Sequence, residues 1–312
     1  MNSQSNAMPD SRRDSQTNGP QVSAPAVISA TRRMCWSVRR ELWENRSIYL
    51  APLAVAALIL AGFLIGIVHL PEKLRAASAL DAMHRQASVE EPYTFAALLL
   101  MFTTFVVGVF YCLDALYGER RERSVLFWKS LPVSDLTTVF SKASIPFVVL
   151  PLVTFAITVA TQALMLLLGS ARLAGTGLNL WSRISFGQMS LLLLYHLVAV
   201  HALWWAPLWG WLLLASAWSR RAPFLWATLP LLAAGLVERI AFNTSHFAGW
   251  LAYRFMGSPE GHAGSGDPMT MAAITPANPA QFLSSPGLWF GLAVAAVFLA
   301  AAIRLRRYRG PI

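Results

Sequence analysis

A chain of 312 residues that is 56% hydrophobic and only 13% charged carries more apolar side chain than a water-soluble domain of its size can hide. That excludes an ordinary soluble globular protein and points to a polytopic membrane protein. Its formal charge of +10, with no nucleic-acid-binding motif in the chain, reads as a topological signal with some attraction to anionic lipid headgroups rather than as a nucleic-acid surface.

Residues 1–25 contain few bulky apolar side chains and many Ser, Asn, Gln and Pro, so residues 1–29 are expected to form a disordered cytoplasmic tail, followed by a six-span transmembrane domain over 30–312. No early apolar stretch precedes them, and a cleavable signal peptide is not expected. Residues 30–47 place Trp36, Arg39, Arg40 and Trp43 at three-to-four spacing. On a helix that pattern rests indoles at the headgroup boundary while guanidinium groups snorkel. The other reading is a plain positively charged anchor ahead of the first span. Cys35 here and Cys112 in the second span, the only cysteines, give neither a disulfide framework nor a thiolate metal site.

Six stretches are long and apolar enough to cross a hydrocarbon layer, near 48–69, 94–116, 145–168, 189–215, 222–241 and 287–304. Backbone groups in lipid must be paired internally, and period-2 alternation is absent, so the spans are helices and the fold class is all-α. Between spans one and two, residues 70–93 hold helix-favouring Ala and Leu between Pro71 and Pro92, which predicts a short surface helix.

Polar groups inside spans are costly and are candidates for function. Asp114 lies near the end of span two, where it either reaches the interface or pairs with an arginine. In span three Thr154, Thr158, Thr161 and Gln162 keep one face, turned to a partner helix or an aqueous path, unless the hydroxyls bond back to their own helix. His196 and His201 of span four are five residues apart, off the i, i+4 geometry of a helical metal site, and read as packing or interhelical hydrogen bonding. The tryptophans of LWWAPLWGW either line a hydrophobic path or fill the space around Pro207. Glu238 and Arg239 end span five and point about 100° apart, so each needs its own partner. Residues 242–286 follow as a long connection whose first part, with Phe247, Trp250, Leu251 and Phe255 at helical spacing, predicts an interfacial or partly re-entrant helix.

Loop charge sets orientation, because positive segments resist translocation. With both termini in the cytoplasm, the inner segments hold 18 of the 25 Lys and Arg and the outer loops seven. The most basic inner loop is 117–142, YGERRERSVLFWKSLPVSDLTTVFSK, in which five cations flank Val125, Leu126, Phe127 and Trp128. That composition suits docking onto another protein.

Glu119, Arg120, Ser130, Leu131, Pro132, Val133, Ser134 and Lys142, lying between the second and third of six spans, resemble the loop of the permease subunit of type 2 ATP-binding-cassette (ABC) transporters. The resemblance covers residues 32–309. It implies a coupling helix in this loop touched by an ATPase, an N-terminal elbow helix, short re-entrant helices before the last span, both termini in the cytoplasm and a second permease copy. On this reading Glu119, Arg120, Arg121, Arg123, Trp128, Leu131 and Pro132 are the ATPase-coupling residues. Asp114, Thr154, Thr158, Gln162, Glu238 and Arg239 remain candidate intramembrane polar groups.

The Gly-x-x-x-x-Gly-Lys-Ser/Thr loop that wraps phosphates does not occur, so ATP would be bound by a separate cytosolic ATPase subunit and this chain would hold no cofactor of its own. No paired carboxylates, Ser–base pair or metal motif mark a catalytic site, and an intramembrane enzyme is the weakest reading. An ion-coupled secondary transporter is the alternative, and it should show inverted repeats and midplane charges. The expected protein is an exporter permease in the bacterial inner membrane, surrounded by lipid, with no nucleic-acid partner and with a hydrophobic or amphipathic cargo.

Overall fold

The structure is a computed structural model that describes residues 29–122, 134–256 and 278–308. Among the described residues every regular element is helical. The amphipathic helix α1 (Ala30–Glu44) starts at Ser29, whose hydroxyl accepts from the Arg32 N–H. Helix α2 (Ser47–Gly66) is apolar on all sides, as a lipid-facing span is, and passes through a tight turn at Ile67–His69 into α3 (Leu70–Ser78). Pro71 sits in the first turn of α3, where its missing N–H has no partner to lose.

Helix α4 runs unbroken over 34 residues, Ala82–Ala115. The expected short surface helix is therefore α3, and Pro92 is not a boundary but lies inside α4. The carbonyl that Pro92 deprives of a donor belongs to Ser88, on an exposed part of the helix where solvent can serve it. After a break at Leu116, α5 (Tyr117–Arg121) continues the chain. Span three is built from α6 (Asp135–Ser144), a π-helical stretch at Ile145–Val149 holding Pro146, and α7 (Leu150–Leu173).

Span four is less regular than its apolar run predicts. Helix α8 (Phe186–His196) widens into a π-helical stretch over Leu197–Trp204, breaks at Trp205, and resumes as α9 (Ala206–Trp218) with Pro207 in its first turn. The Trp205 N–H reaches back five residues to the Val200 carbonyl, at 3.0 Å. Span five is α10 (Pro223–Phe242), followed by the short helices α11 (His246–Met256) and α12 (Pro279–Ser284) and by span six, α13 (Pro286–Tyr308). The six apolar helical stretches long enough to cross a membrane match the six expected, and the molecule is an integral, multi-pass, all-α membrane protein.

Helices α4, α7 and α9 form the centre. Cys112, Ile145, Leu150, Trp209 and Leu213 pack one half of the bundle, and Leu74, Tyr93, Met165, Leu166 and Leu180 the other. Helices α2 and α10 flank this core and give it Ile48 and Ala227. Helix α10 buries only Ala227 and exposes Leu229, Leu232, Leu236 and Ile240.

Small residues set how closely spans approach, because packing rather than hydrophobic transfer joins helices in lipid. A Cβ on Gly210 of α9 would lie 3.2 Å from the Ala295 carbonyl oxygen and 3.3 Å from its Cα in α13, both backbone atoms that cannot swing away. Gly210→Ala should be tolerated with a small loss, whereas Gly210→Leu should force the two helices apart and cost about 1–3 kcal/mol. Thermal midpoints of the two variants in one detergent check the difference.

Candidate functional site

At one end of the bundle, four elements far apart in sequence deliver charges to one buried point. Helix α1 contributes Arg40 and Glu41 because Val38 and Leu42 turn the same side of that helix into the core. Glu119 comes from α5, Lys142 and Asp135 from α6, and Arg306 from the last turns of α13.

The Lys142 ammonium donates to Glu41 Oε1 at 2.8 Å and lies 3.2 Å from Glu119 Oε1. Arg306 pairs with the other Glu119 oxygen and donates from Nε to Asp135 Oδ1 at 3.1 Å. Arg40 Nη2 bridges Glu41 at 3.1 Å and Glu119 at 3.2 Å, and the Tyr111 hydroxyl of α4 donates to Glu41 Oε2 at 3.0 Å.

Lys142 is 3% exposed and Glu41 1%, which decides how the cluster behaves. Removing an ion from water costs several kcal/mol, offset only when geometry is good and the remaining donors and acceptors are met. Here Arg40, Lys142 and Arg306 face Glu41, Glu119 and Asp135, so the formal charges balance. Glu44 lies at the rim, 3.2 Å from Arg40 Nε, and partial burial raises its carboxyl above the ordinary value against the pull of Arg40.

A second device lies beside it. Arg120 donates to the carbonyls of Ser216 at 2.8 Å and Ser219 at 2.5 Å, where α9 ends. In return the Ser216 hydroxyl accepts the N–H groups of Leu116 and Tyr117, at 3.0 and 2.9 Å, where α4 breaks. The ends of spans two and four thus supply each other's missing partners.

Of the expected coupling residues, Glu119 and Arg120 point inward and are spent on these contacts. Arg121 is exposed, 3.5 Å from Glu122 and over the Tyr117 ring. Arg123, Trp128, Leu131 and Pro132 lie outside the described residues, as does any coupling helix there.

The intramembrane candidates scatter. Asp114 is exposed near Gly118. Thr154, Thr158 and Gln162 are fully buried. The Thr154 hydroxyl lies 2.8 Å from the Thr104 hydroxyl of α4 and 2.7 Å from the Leu150 carbonyl of its own helix, and Gln162 donates to the Tyr93 carbonyl at 3.0 Å, so the polar stripe of span three both faces a partner helix and bonds back to its own. Thr161 bonds back to Ile157 of its own helix. Glu238 takes the N–H groups of His246 and Phe247, at 2.7 and 2.8 Å, and the Thr244 hydroxyl at 2.9 Å, capping α11, while Arg239 is exposed. His201 packs between the rings of Trp205 and Trp209, and among the described residues no three His, Cys, Asp or Glu side chains are grouped to hold a metal ion.

Glu41, Tyr111, Asp135 and Arg306 were not expected in a site. The signal that could have found Glu41 is its place between Val38 and Leu42, a carboxylate on the inward face of an amphipathic helix.

Comparison with protein-family profiles, with curated proteins and with solved structures returned no match. The described residues are those of a helical, polytopic membrane protein, an architecture consistent with a transport role.

Proposed function

We propose that the chain is the membrane-spanning permease subunit of an ABC exporter, paired with a second permease copy and driven by a separate cytosolic ATPase that binds the ATP. It performs no chemistry itself. The charge-cluster end faces the cytoplasm of a bacterial inner membrane, with both termini on that side, and α1 serves as the elbow helix. The cargo is hydrophobic or amphipathic, in keeping with spans that carry few fixed charges.

One observation carries this reading. The chain on either side of residues 123–133 is anchored through Glu119 and Lys142 to the same buried cluster that holds α1 and the end of α13. A displacement of that segment by a docked ATPase would reach four elements at once, which is what a two-state gating motion needs. The exposed apolar faces of α2 and α10 offer area for a second copy or for lipid.

Affinity purification of the full chain from its native membrane should bring down a Walker-motif ATPase whose hydrolysis the chain stimulates. Changing Leu131→Ala and Pro132→Ala together should abolish the stimulation while leaving the amount of folded chain unchanged. Stimulation that survives the double change, or transport driven by an ion gradient without nucleotide, counts against the proposal.

A further inference from the structure

At the end of the bundle opposite the charge cluster, a cavity of about 520 Å³ opens between α9, α10, α11 and α13. Its wall is almost wholly apolar, formed by Trp211, Leu231, Trp250, Phe255, Phe290 and Phe298 among others. The size falls within the range of small-ligand sites, about 300–1,000 Å³.

The wall contains one cation, Arg254 of α11, 7% exposed. Its guanidinium stacks over the Trp204 ring at 4.1 Å, and Nη2 donates to the Gly287 carbonyl at 3.0 Å. Its Nε and Nη1 have no hydrogen-bond partner and no carboxylate pairs with it among the described residues. The space it occupies is built for it. A Cβ on Gly291 of α13 would collide with Nη2, so the guanidinium rests where a glycine leaves room for it. Helix α11 is held in register by the Glu238 cap and by Trp204 Nε1, which donates to the Arg254 carbonyl at 3.0 Å.

A buried guanidinium with unused donors beside a greasy cavity lacks one thing, an oxyanion attached to a hydrocarbon chain. Charged groups at membrane depth pair with an opposite charge or with backbone carbonyls, of which Arg254 has the one at Gly287, and guanidinium fits phosphate with two parallel hydrogen bonds. We propose that this cavity binds an anionic phospholipid, its acyl chain against the Trp211, Trp250 and Phe290 wall and its phosphate on Arg254. Binding then requires the guanidinium, whose Nε and Nη1 are buried, to turn about its last torsions so that these donors meet the phosphate. The site is independent of the permease reading.

Four of the twelve tryptophans, Trp204, Trp205, Trp211 and Trp250, line the cavity, which makes intrinsic fluorescence a direct probe. The full chain is reconstituted into zwitterionic phosphatidylcholine bilayers and titrated with phosphatidylglycerol carrying dibrominated acyl chains, or with equally brominated phosphatidylcholine. The anionic lipid should quench at lower mole fraction and unlabelled phosphatidylglycerol should reverse the excess, which unlabelled phosphatidylcholine should not. Arg254→Met should weaken the preference by roughly 10-fold or more, as expected on losing charge-assisted hydrogen bonds to an oxyanion, and Arg254→Lys should keep part of it. Equal quenching by the two lipids, or a preference unchanged in Arg254→Met, overturns the proposal. Excess quenching by a brominated fatty acid but not by phosphatidylglycerol overturns the phospholipid as occupant. Should Arg254→Met fail to fold, the reversal by unlabelled lipids on the unaltered chain still decides.

Discussion

Glu119→Gln is expected to lower the thermal midpoint further than any other single change in the charge cluster. Glu119 is the one carboxylate that meets three cations, Arg40, Lys142 and Arg306. Glutamine keeps its shape and removes its charge, so the buried Lys142 and Arg306 and the partly covered Arg40 then share Glu41 and the partly covered Asp135. Removing one member of a buried ion pair costs about 3–5 kcal/mol, most of it from the charge left without a partner. Lys142→Met should be severe for the mirror-image reason, since Glu41 and Glu119 would then face each other across an apolar side chain. Combining the two changes should cost clearly less than the sum of the single losses, because each removes the charge that the other strands. Intrinsic-fluorescence melting of the four proteins in one detergent gives the cycle. The exposed Glu72→Gln serves as reference, and a Glu119→Gln midpoint equal to that of the reference would show that the cluster does not hold the bundle end.

The same cluster explains what could and could not be read from the sequence. Spans are legible because lipid imposes about 20 apolar residues in a row and internal backbone pairing, both visible locally. Helix α11 was legible from the spacing of Phe247, Trp250, Leu251 and Phe255, and α1 from Trp36 and Trp43, which the structure leaves exposed. The partners of Glu119 were not. Its contacts with Arg40 and Arg306 span 79 and 187 residues, and nothing in local periodicity says which basic residue of a cationic end will turn inward. Arg40 illustrates the limit: its spacing with Trp36 and Trp43 suggested a snorkelling arginine, yet three quarters of its side chain is covered and its Nη2 reaches into the cluster. Span four failed for another reason. Hydropathy sees LVAVHALWWAPLWGW as one apolar run, whereas the backbone responds to Pro207 and to the packing of Trp209 against His201 by widening and then breaking.

Arg120→Met should loosen the joint between spans two and four without touching either apolar core. Its guanidinium reaches two carbonyls of the last turn of α9, groups that have no helical partner of their own. Leaving buried acceptors without their donor costs about 1–3 kcal/mol each, so a loss of roughly 2–6 kcal/mol is expected for the two. A cation at a helix C-terminus is also favoured by the helix dipole, which adds to the loss. Arg120→Lys should recover less than half, because a single ammonium on a shorter reach cannot serve both Ser216 and Ser219. Ser216→Ala probes the joint from its other side, removing the hydroxyl that accepts from Leu116 and Tyr117, and should cost less because those N–H groups lie beside a helix break. Hydrogen exchange separates a local effect from a global one: Arg120→Met should speed exchange at 216–221 and 116–121 while α7 keeps its protection. Because Arg120 and Glu119 are neighbours on one turn of α5, a joint that holds only through Arg120 would let that turn, and with it the charge cluster, move as a unit against span four. Unchanged exchange at 216–221 would mean that the end of α9 is held by packing of Leu213 and Ala217 rather than by the guanidinium.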